Sequence, residues 1–275
     1  DQQLQAIGEA LQRQGIRYAG VVAKFSVRNA AQEKKMAALL QPYVERVFMG
    51  HSLSGNLNFP RRIATTYLNC AVYPIHKKFF AAVQESLAEK GLTMPIRILR
   101  PDGGNMNIES SVDHPAQTSL SGPSASVMGA LSSAPAEGTC LVLDIGGTTT
   151  DMAVLIDKAP LLAPLGIEIT PYKTLIRALQ THSIGIGGDS AVRVRDGKIT
   201  IGPDRIGKAM AYGGPHPTPT DAFYVLGQGG SGDVEKSRAG LLPVAEALGQ
   251  SVDQAAQTIF ASACRTILEA AEEMI

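Results

Sequence analysis

The sequence lacks a charge bias. Its 25 basic and 25 acidic residues cancel, and no long run of either sign appears, which argues against nucleic acid, a membrane surface or a polyanion as partner. It lacks any apolar run of membrane-spanning length, and its first residues, Asp1-Gln2-Gln3-Leu4, have neither the charged start nor the apolar middle of a signal peptide. It is poor in cysteine. Cys70, Cys140 and Cys264 are odd in number, widely spaced and set among apolar residues, which suits buried thiols in a reducing cytoplasm better than disulfides or a thiolate metal site. The five histidines, His51, His76, His114, His182 and His216, never fall at paired metal-ligand spacing, so zinc is not indicated. No serine sits in a nucleophile-elbow pattern and no Cys/His pairing supports covalent catalysis. The chain also does not begin with methionine, which fits a trimmed sequence.

What is present is enough to fold: 275 residues, 44% hydrophobic and 18% charged, suffice for one large core or two moderate ones. Leu4, Ile7 and Leu11 recur at helical spacing, and YAGVVAKF at 18–25 reads as a buried strand. A helix over 30–40, capped near Asn29 and stopped by Pro42, precedes a strand at 44–50. A long helical pattern fills 61–90, with Pro74 inside it and Gly91 after it. A strand at 96–99, a PDGGN turn at 101–105 and a small-residue helix over 124–131 complete an alternating α/β stretch. The tail returns to helix from about Thr220 and again over 252–275.

Residues 139–156, TCLVLDIGGTTTDMAVLI, have a different character. Two apolar β-rich runs flank a Gly-Gly-Thr turn, the pattern of a hairpin. A second hairpin is expected over 191–202, with Asp196-Gly197 as its turn. The first strand of the first hairpin ends in Asp144, and Gly146 and Gly147 allow a tight turn with outward N–H groups. Such a turn can cradle a phosphate through its amides and the Thr148 hydroxyl. Asp144 and Asp151 can hold Mg²⁺, largely through water, since that ion keeps much of its hydration shell. On chemistry alone the segment reads equally as an ordinary hairpin whose acids solvate its ends.

The motif D-x-G-G-T-x-x-D between two apolar strands resembles the phosphate motif of the superfold shared by actin, hexokinase-type sugar kinases and chaperone ATPases. A narrower resemblance runs through SLSGPSASVMGAL, LDIGGTTTDMAVL, HSIGIGGDSAVRV at 182–194, IGPDRIG at 201–207 and PTPTDAFYVLG at 217–227, with TTYLNCAVYPIHKKF and PDGGNM upstream. In that order the segments are similar to the hydantoinase A/5-oxoprolinase family over nearly the whole chain. The resemblance implies an α/β, actin-like (ribonuclease H-like) ATPase fold with mixed sheets and flanking helices: residues 1–135 as the remainder of a first lobe, 136–275 as most of a second. It implies ATP and Mg²⁺ as cofactors and a cyclic amide, of hydantoin or 5-oxoproline type, as substrate. A lactam carbonyl is a poor electrophile, and phosphorylating its oxygen creates a leaving group that water can displace. By the same likeness Asp144 and Asp151 hold metal and orient the attacking group, and Gly146, Gly147 and Thr148 grip phosphate. Gly185, Gly187, Gly188 and Asp189 line the nucleotide or substrate cleft, and a second large subunit is the expected partner.

The chain also departs from the family. A first Asp-x-Gly-Gly-Thr strand and a Gly-Gly-Ala-Gly nucleotide segment are expected outside 1–275, so the chain is expected to be cut short at both ends and to bind ATP weakly or not at all by itself. The stretch KAMAYGGPHPTPTDA at 208–222 lacks the family's Asp-Pro-Gly-Pro and cysteine, which leaves the substrate open. Two rival readings are a non-catalytic regulatory or assembly module that keeps the fold, and a small-molecule kinase of the same superfold. Gly227-Gln228-Gly229-Gly230-Ser231-Gly232 fits G-x-G-x-x-G, yet the polar run after it suits a flexible loop better than a dinucleotide site. His216 reads as a surface histidine, with reach to a substrate as the alternative, and Asp102 as a turn residue.

Overall fold

The structure is a computed structural model that describes residues 1–274. It packs as two compact units, one of residues 1–128 and 162–179, the other of residues 129–161 and 180–275. Both mix helices with strands.

In the first unit, helix α1 (Gln2–Arg13) is followed by strand β1 (Tyr18–Val21), helix α2 (Ala31–Leu40) and strand β2 (Arg46–Met49). β1 and β2 run parallel, Tyr18 opposite Arg46 and Val21 opposite Met49. The strand expected over 18–25 ends at Val21 because Phe25 turns at a left-handed φ of 61°. The cap of α2 is Ala30, without a side-chain cap bond, and Asn29, one residue earlier, accepts the Ala31 amide at 3.0 Å. Helix α3 (Phe59–Glu89) runs 31 residues with Pro74 inside it, so the proline does not divide the element. Its cap is Asn58, whose side chain accepts the Arg61 amide. Helix α4 (Ser121–Ala130) closes the unit's main run. Residues 162–179 return to this unit, where the Leu175 amide donates to Thr65 Oγ1 at 2.8 Å.

The second unit opens with the expected hairpin. Strands β3 (Thr139–Ile145) and β4 (Thr150–Ile156) pair antiparallel, and β5 (Thr181–Ile184) lies on the other side of β4. Met152, Ala153, Val154 and Leu155 are all buried, since a central strand covered on both faces needs a continuous apolar run. β3 is an edge strand, and its Leu143 and Ile145 are exposed. The second hairpin pairs β6 (Ser190–Arg195) with β7 (Lys198–Arg205) around Asp196-Gly197, both at positive φ, as a two-residue turn of this composition requires. Helices α5 (Pro219–Val225), α6 (Val234–Leu248) and α7 (Val252–Glu272) complete the unit. The last was expected to reach Ile275, which lies outside the described residues.

The core of this unit joins the second hairpin to the three helices through Val192, Ala222, Leu241, Val244 and Ile259. Burying side chains the size of Leu241 and Ile259 contributes roughly 2 kcal/mol each. A smaller cluster seats Met152, Leu141 and Ile184 against Ala270 and Ala271 of α7. The sheet that carries the Gly-Gly-Thr turn is thereby fixed to a 21-residue helix. Capping boxes start α5 (Thr218 with Asp221) and α7 (Ser251 with Gln254), each worth about 1 kcal/mol.

Candidate functional site

The turn between β3 and β4 is closed by the Gly146 amide, which donates to the Thr149 carbonyl at 2.9 Å. That corrects one expectation: the Gly146 N–H is spent on the hairpin. The amides of Gly147, Thr148 and Thr149 donate to no other group among the described residues, and Thr148 is exposed. Neither Gly146 nor Gly147 has a positive φ, so these glycines serve close packing. A Cβ on Gly147 would stand 2.9 Å from Asp189 Oδ2.

The second glycine-rich segment is fastened to this turn. The Gly188 amide donates to the Gly146 carbonyl at 2.9 Å, and the Asp189 amide to the Gly147 carbonyl at 2.8 Å. Gly187 passes so near that a Cβ there would meet the Gly146 carbonyl oxygen at 2.5 Å. Gly188 is held from behind, its carbonyl accepting the Thr220 amide at 2.9 Å and the Thr220 hydroxyl at 2.7 Å. Gly185 packs against Pro203. Buried Thr150 links the hairpin to the same loop by donating to the Ile186 carbonyl at 2.7 Å. Two segments about 40 residues apart in sequence therefore form one backbone-lined surface.

Asp144 and Asp151 face each other across the ladder, with Ser183 next to Asp151 on β5. Directly opposed residues of adjacent strands project to the same side of a sheet. Like charges in that relation destabilise a sheet, and a cation between them would relieve the repulsion. The pair thus fits a Mg²⁺ held by few carboxylates and much water. Among the described residues no group of three or more His, Cys, Asp or Glu side chains is placed to hold a metal, so a site built of protein ligands alone is not on offer.

Sequence reasoning assigned no role to Arg205, and the structure brings it here. Its Nη2 lies 2.7 Å from Asp189 Oδ2, and its guanidinium carbon would be 3.8 Å from a Cβ on Gly147. An arginine placed by a hairpin register, here opposite Ser190, leaves no local sequence signal. On the other side of the loop an apolar groove of about 320 Å³ is lined by Ile145, Gly187, Phe223, Phe260 and Cys264.

Other expectations resolve away from the site. Cys70 and Cys140 are half-buried and Cys264 is exposed, all three as free thiols, so the expectation of buried thiols fails outright at Cys264, which lines the apolar groove from α7. Burial pushes the Cys70 thiol up to about 11, which makes it unreactive. His216 Nε2 lies 3.0 Å from the Val192 carbonyl. Asp102 caps its own turn, accepting the Gly104 amide at 3.1 Å and pairing with Arg100 at 2.9 Å. The segment before Gly227 is the helix α5, not a strand, and Gly229 and Gly232 pack on the Tyr224 ring, which removes the context a dinucleotide site needs.

The chain is 26% identical over 301 residues to an uncharacterized protein of Methanocaldococcus jannaschii, covering 98% of this chain and 44% of that one. It is 25% identical over 262 residues to the caprolactamase subunit alpha of Pseudomonas jessenii, covering 84% and 36%. To the acetophenone carboxylase gamma subunit of Aromatoleum aromaticum it is 28% identical over 234 residues, covering 79% and 32%. The crystal structure of the ATP-dependent caprolactamase from Pseudomonas jessenii superposes with a TM-score of 0.79 at 21% identity, over 99% of this chain and 42% of that chain. The chain therefore spans less than half the length of these relatives. Residues 62–275 match the family described as Hydantoinase/oxoprolinase, and the chain belongs to that family.

Proposed function

We propose that this chain is the phosphate-gripping part of an ATP-dependent hydrolase that opens a cyclic amide of hydantoin or 5-oxoproline type, built on an actin-like ATPase fold. The observation that carries the reading is the turn itself. Three backbone amides, of Gly147, Thr148 and Thr149, are left without acceptors among the described residues beside two opposed carboxylates. Successive backbone donors in one turn suit an anion with several oxygens. The Thr148 hydroxyl adds a further donor. The fastening of Gly187 and Gly188 to the turn holds these donors rigid, which is what transition-state stabilisation by fixed dipoles requires. Asp144 and Asp151 would hold Mg²⁺, which when bound offsets phosphate charge.

In that reaction the lactam oxygen attacks the terminal phosphorus and ADP departs; water adds to the activated carbon, the C–N bond opens as the protonated nitrogen leaves, and a second water displaces phosphate from the resulting acyl phosphate. The chain's contribution is to orient and neutralise the phosphates. Gly185, Gly187, Gly188 and Asp189 belong to the wall of the nucleotide cleft in this reading. In this reading a second large subunit is the partner, supported by the relatives named as subunits, and the compartment is a reducing cytoplasm.

Likeness to the acetophenone carboxylase gamma subunit favours a second reading, in which the same grip serves a carboxylation. Calorimetric titration of Mg-ATP and Mg-ADP into the chain and into Asp144→Ala tests the grip. Binding that falls at least tenfold in a variant that melts like the parent supports it; equal binding by both proteins refutes it. In the whole protein, lactam-dependent ADP release favours the hydrolase and bicarbonate-dependent release the carboxylase.

A further inference from the structure

We propose that Arg205 is the residue that reads the terminal phosphate of ATP at this turn, held in reserve by Asp189; the inference rests on the phosphate reading above. Three observations carry it. First, Asp189 brings a carboxylate to the turn, its Oδ2 only 2.9 Å from where a Cβ on Gly147 would stand. An unneutralised carboxylate at that distance would repel any phosphate on the Gly147 amide. Second, the neutralising partner is Arg205, 2.7 Å away through one nitrogen, Nη2. Its Nε donates to the Gly207 carbonyl at 3.3 Å, and Nη1 donates to no group among the described residues. A guanidinium has five donors in a planar fork suited to phosphate oxygens, so it can keep Asp189 and still offer N–H groups to an anion. Third, the side chain of Arg205 is 45% exposed while that of Asp189 is 17% exposed. The carboxylate is the fixed member and the guanidinium the movable one.

The pair is too exposed to be a device for stability. Ion pairs of this kind contribute little, and their loss shifts stability only slightly. Its position over the turn gives it a different use: Asp189 keeps Arg205 beside the Gly147 amide when no phosphate is bound, and the third phosphate of ATP takes over some of its donors. ADP ends one phosphate short and gains less. Arg205 therefore sets a preference for ATP over ADP, where the amides of Gly147, Thr148 and Thr149 supply the grip common to both.

The test is a set of ³¹P NMR titrations of Mg-ATP and Mg-ADP with the 275-residue chain, a method that reads dissociation constants into the millimolar range. Three variants are compared: Arg205→Gln, Arg205→Lys and Asp189→Asn. Arg205→Gln is expected to weaken ATP by about 10-fold to 100-fold, the size of a lost charge-assisted hydrogen bond, and ADP by much less, so that the ATP/ADP preference collapses. Arg205→Lys should restore part of the preference. Asp189→Asn should narrow the ATP/ADP preference, because the guanidinium loses the partner that keeps it beside the Gly147 amide. All three should melt within about 2 °C of the parent, as half-exposed ion pairs do. If Arg205→Gln binds ATP and ADP with the parent's ratio, the role of Arg205 is overturned and the turn keeps its grip. Should the parent chain bind neither nucleotide, the phosphate reading fails and Arg205 falls with it. An Mg²⁺-dependent loss in Asp189→Asn would make that carboxylate a metal ligand and overturn its part as the holder of Arg205.

Discussion

Polar groups serve opposite ends around Glu33 in the first unit and at the Gly-Gly-Thr turn in the second. In the first, they are buried and consumed by the unit's own backbone. Glu33 is fully buried, and its carboxylate accepts the amides of Ala23 and His51, each at 2.8 Å, beside the His51 ring at 2.6 Å. Arg62, also fully buried, donates to the carbonyls of Ala23 and Asn56 at 2.9 Å. Asn69 donates to the Thr65 carbonyl and accepts the Ala116 amide. In the second unit, Gly146 and Thr148 are exposed, and the amides of Gly147, Thr148 and Thr149 donate to no group among the described residues. A polar group already satisfied by its own chain builds the fold, whereas backbone donors left without an internal partner are available to a ligand.

The comparison breaks most visibly at Glu33. Glu33→Ala strands two backbone amides and is expected to cost about 3 kcal/mol or more, read by urea denaturation, while nucleotide binding per folded molecule stays unchanged. Gly187→Ala is the counterpart in the second unit. Its Cβ would lie 2.5 Å from a backbone oxygen and 2.7 Å from a backbone carbon, neither of which can rotate away. We expect about 2 kcal/mol of destabilisation together with loss of Mg-ATP binding, seen by combining denaturation with titration. Asp151→Asn sharpens the contrast, since removing one of two opposed charges should leave stability equal or higher by about 0.5 kcal/mol while Mg²⁺-dependent binding drops at least tenfold.

The smallest effect concerns pH. Burial pulls the His76 pKa below its ordinary value of 6.5, and the ring sits 2.9 Å from the Ser111 hydroxyl. For Glu33, burial works upward, but the neighbouring Ser26 hydroxyl, the His51 and Ala23 amides and the His51 ring together hold it below 4.5. Both groups are depressed in the folded state, so the unfolded chain binds more protons and stability falls with acid. The loss should begin as pH drops below 6.5 through His76 and deepen below 4.5 through Glu33. Thermal melts from pH 8 to pH 4 read it, and His76→Asn should remove the first step only.

Much of this was legible in the sequence because the second unit states its turns locally. Gly-Gly-Thr between apolar runs and Asp196-Gly197 between alternating ones mark hairpins that need no distant information. The likeness of TTYLNCAVYPIHKKF to the family was also legible, but not that Thr65, Thr66, Asn69 and His76 are buried, because a polar residue's burial depends on partners 35 to 110 positions away. The return of residues 162–179 to the first unit has the same cause: long-range pairing leaves no mark in local spacing. Arg205 was missed because its arrival at Gly147 is set by the register of β6 on β7, and one residue of slip would place it on the other face.

The most direct measurement is a ¹H–¹⁵N map of the backbone amides as Mg-ATP is added. Saturable shifts concentrated at Gly147, Thr148 and Thr149, with the amides around Glu33 and Arg62 unmoved, are the predicted result. Unmoved turn amides at nucleotide concentrations that shift resonances elsewhere in the chain would contradict the proposal that this turn holds the phosphate.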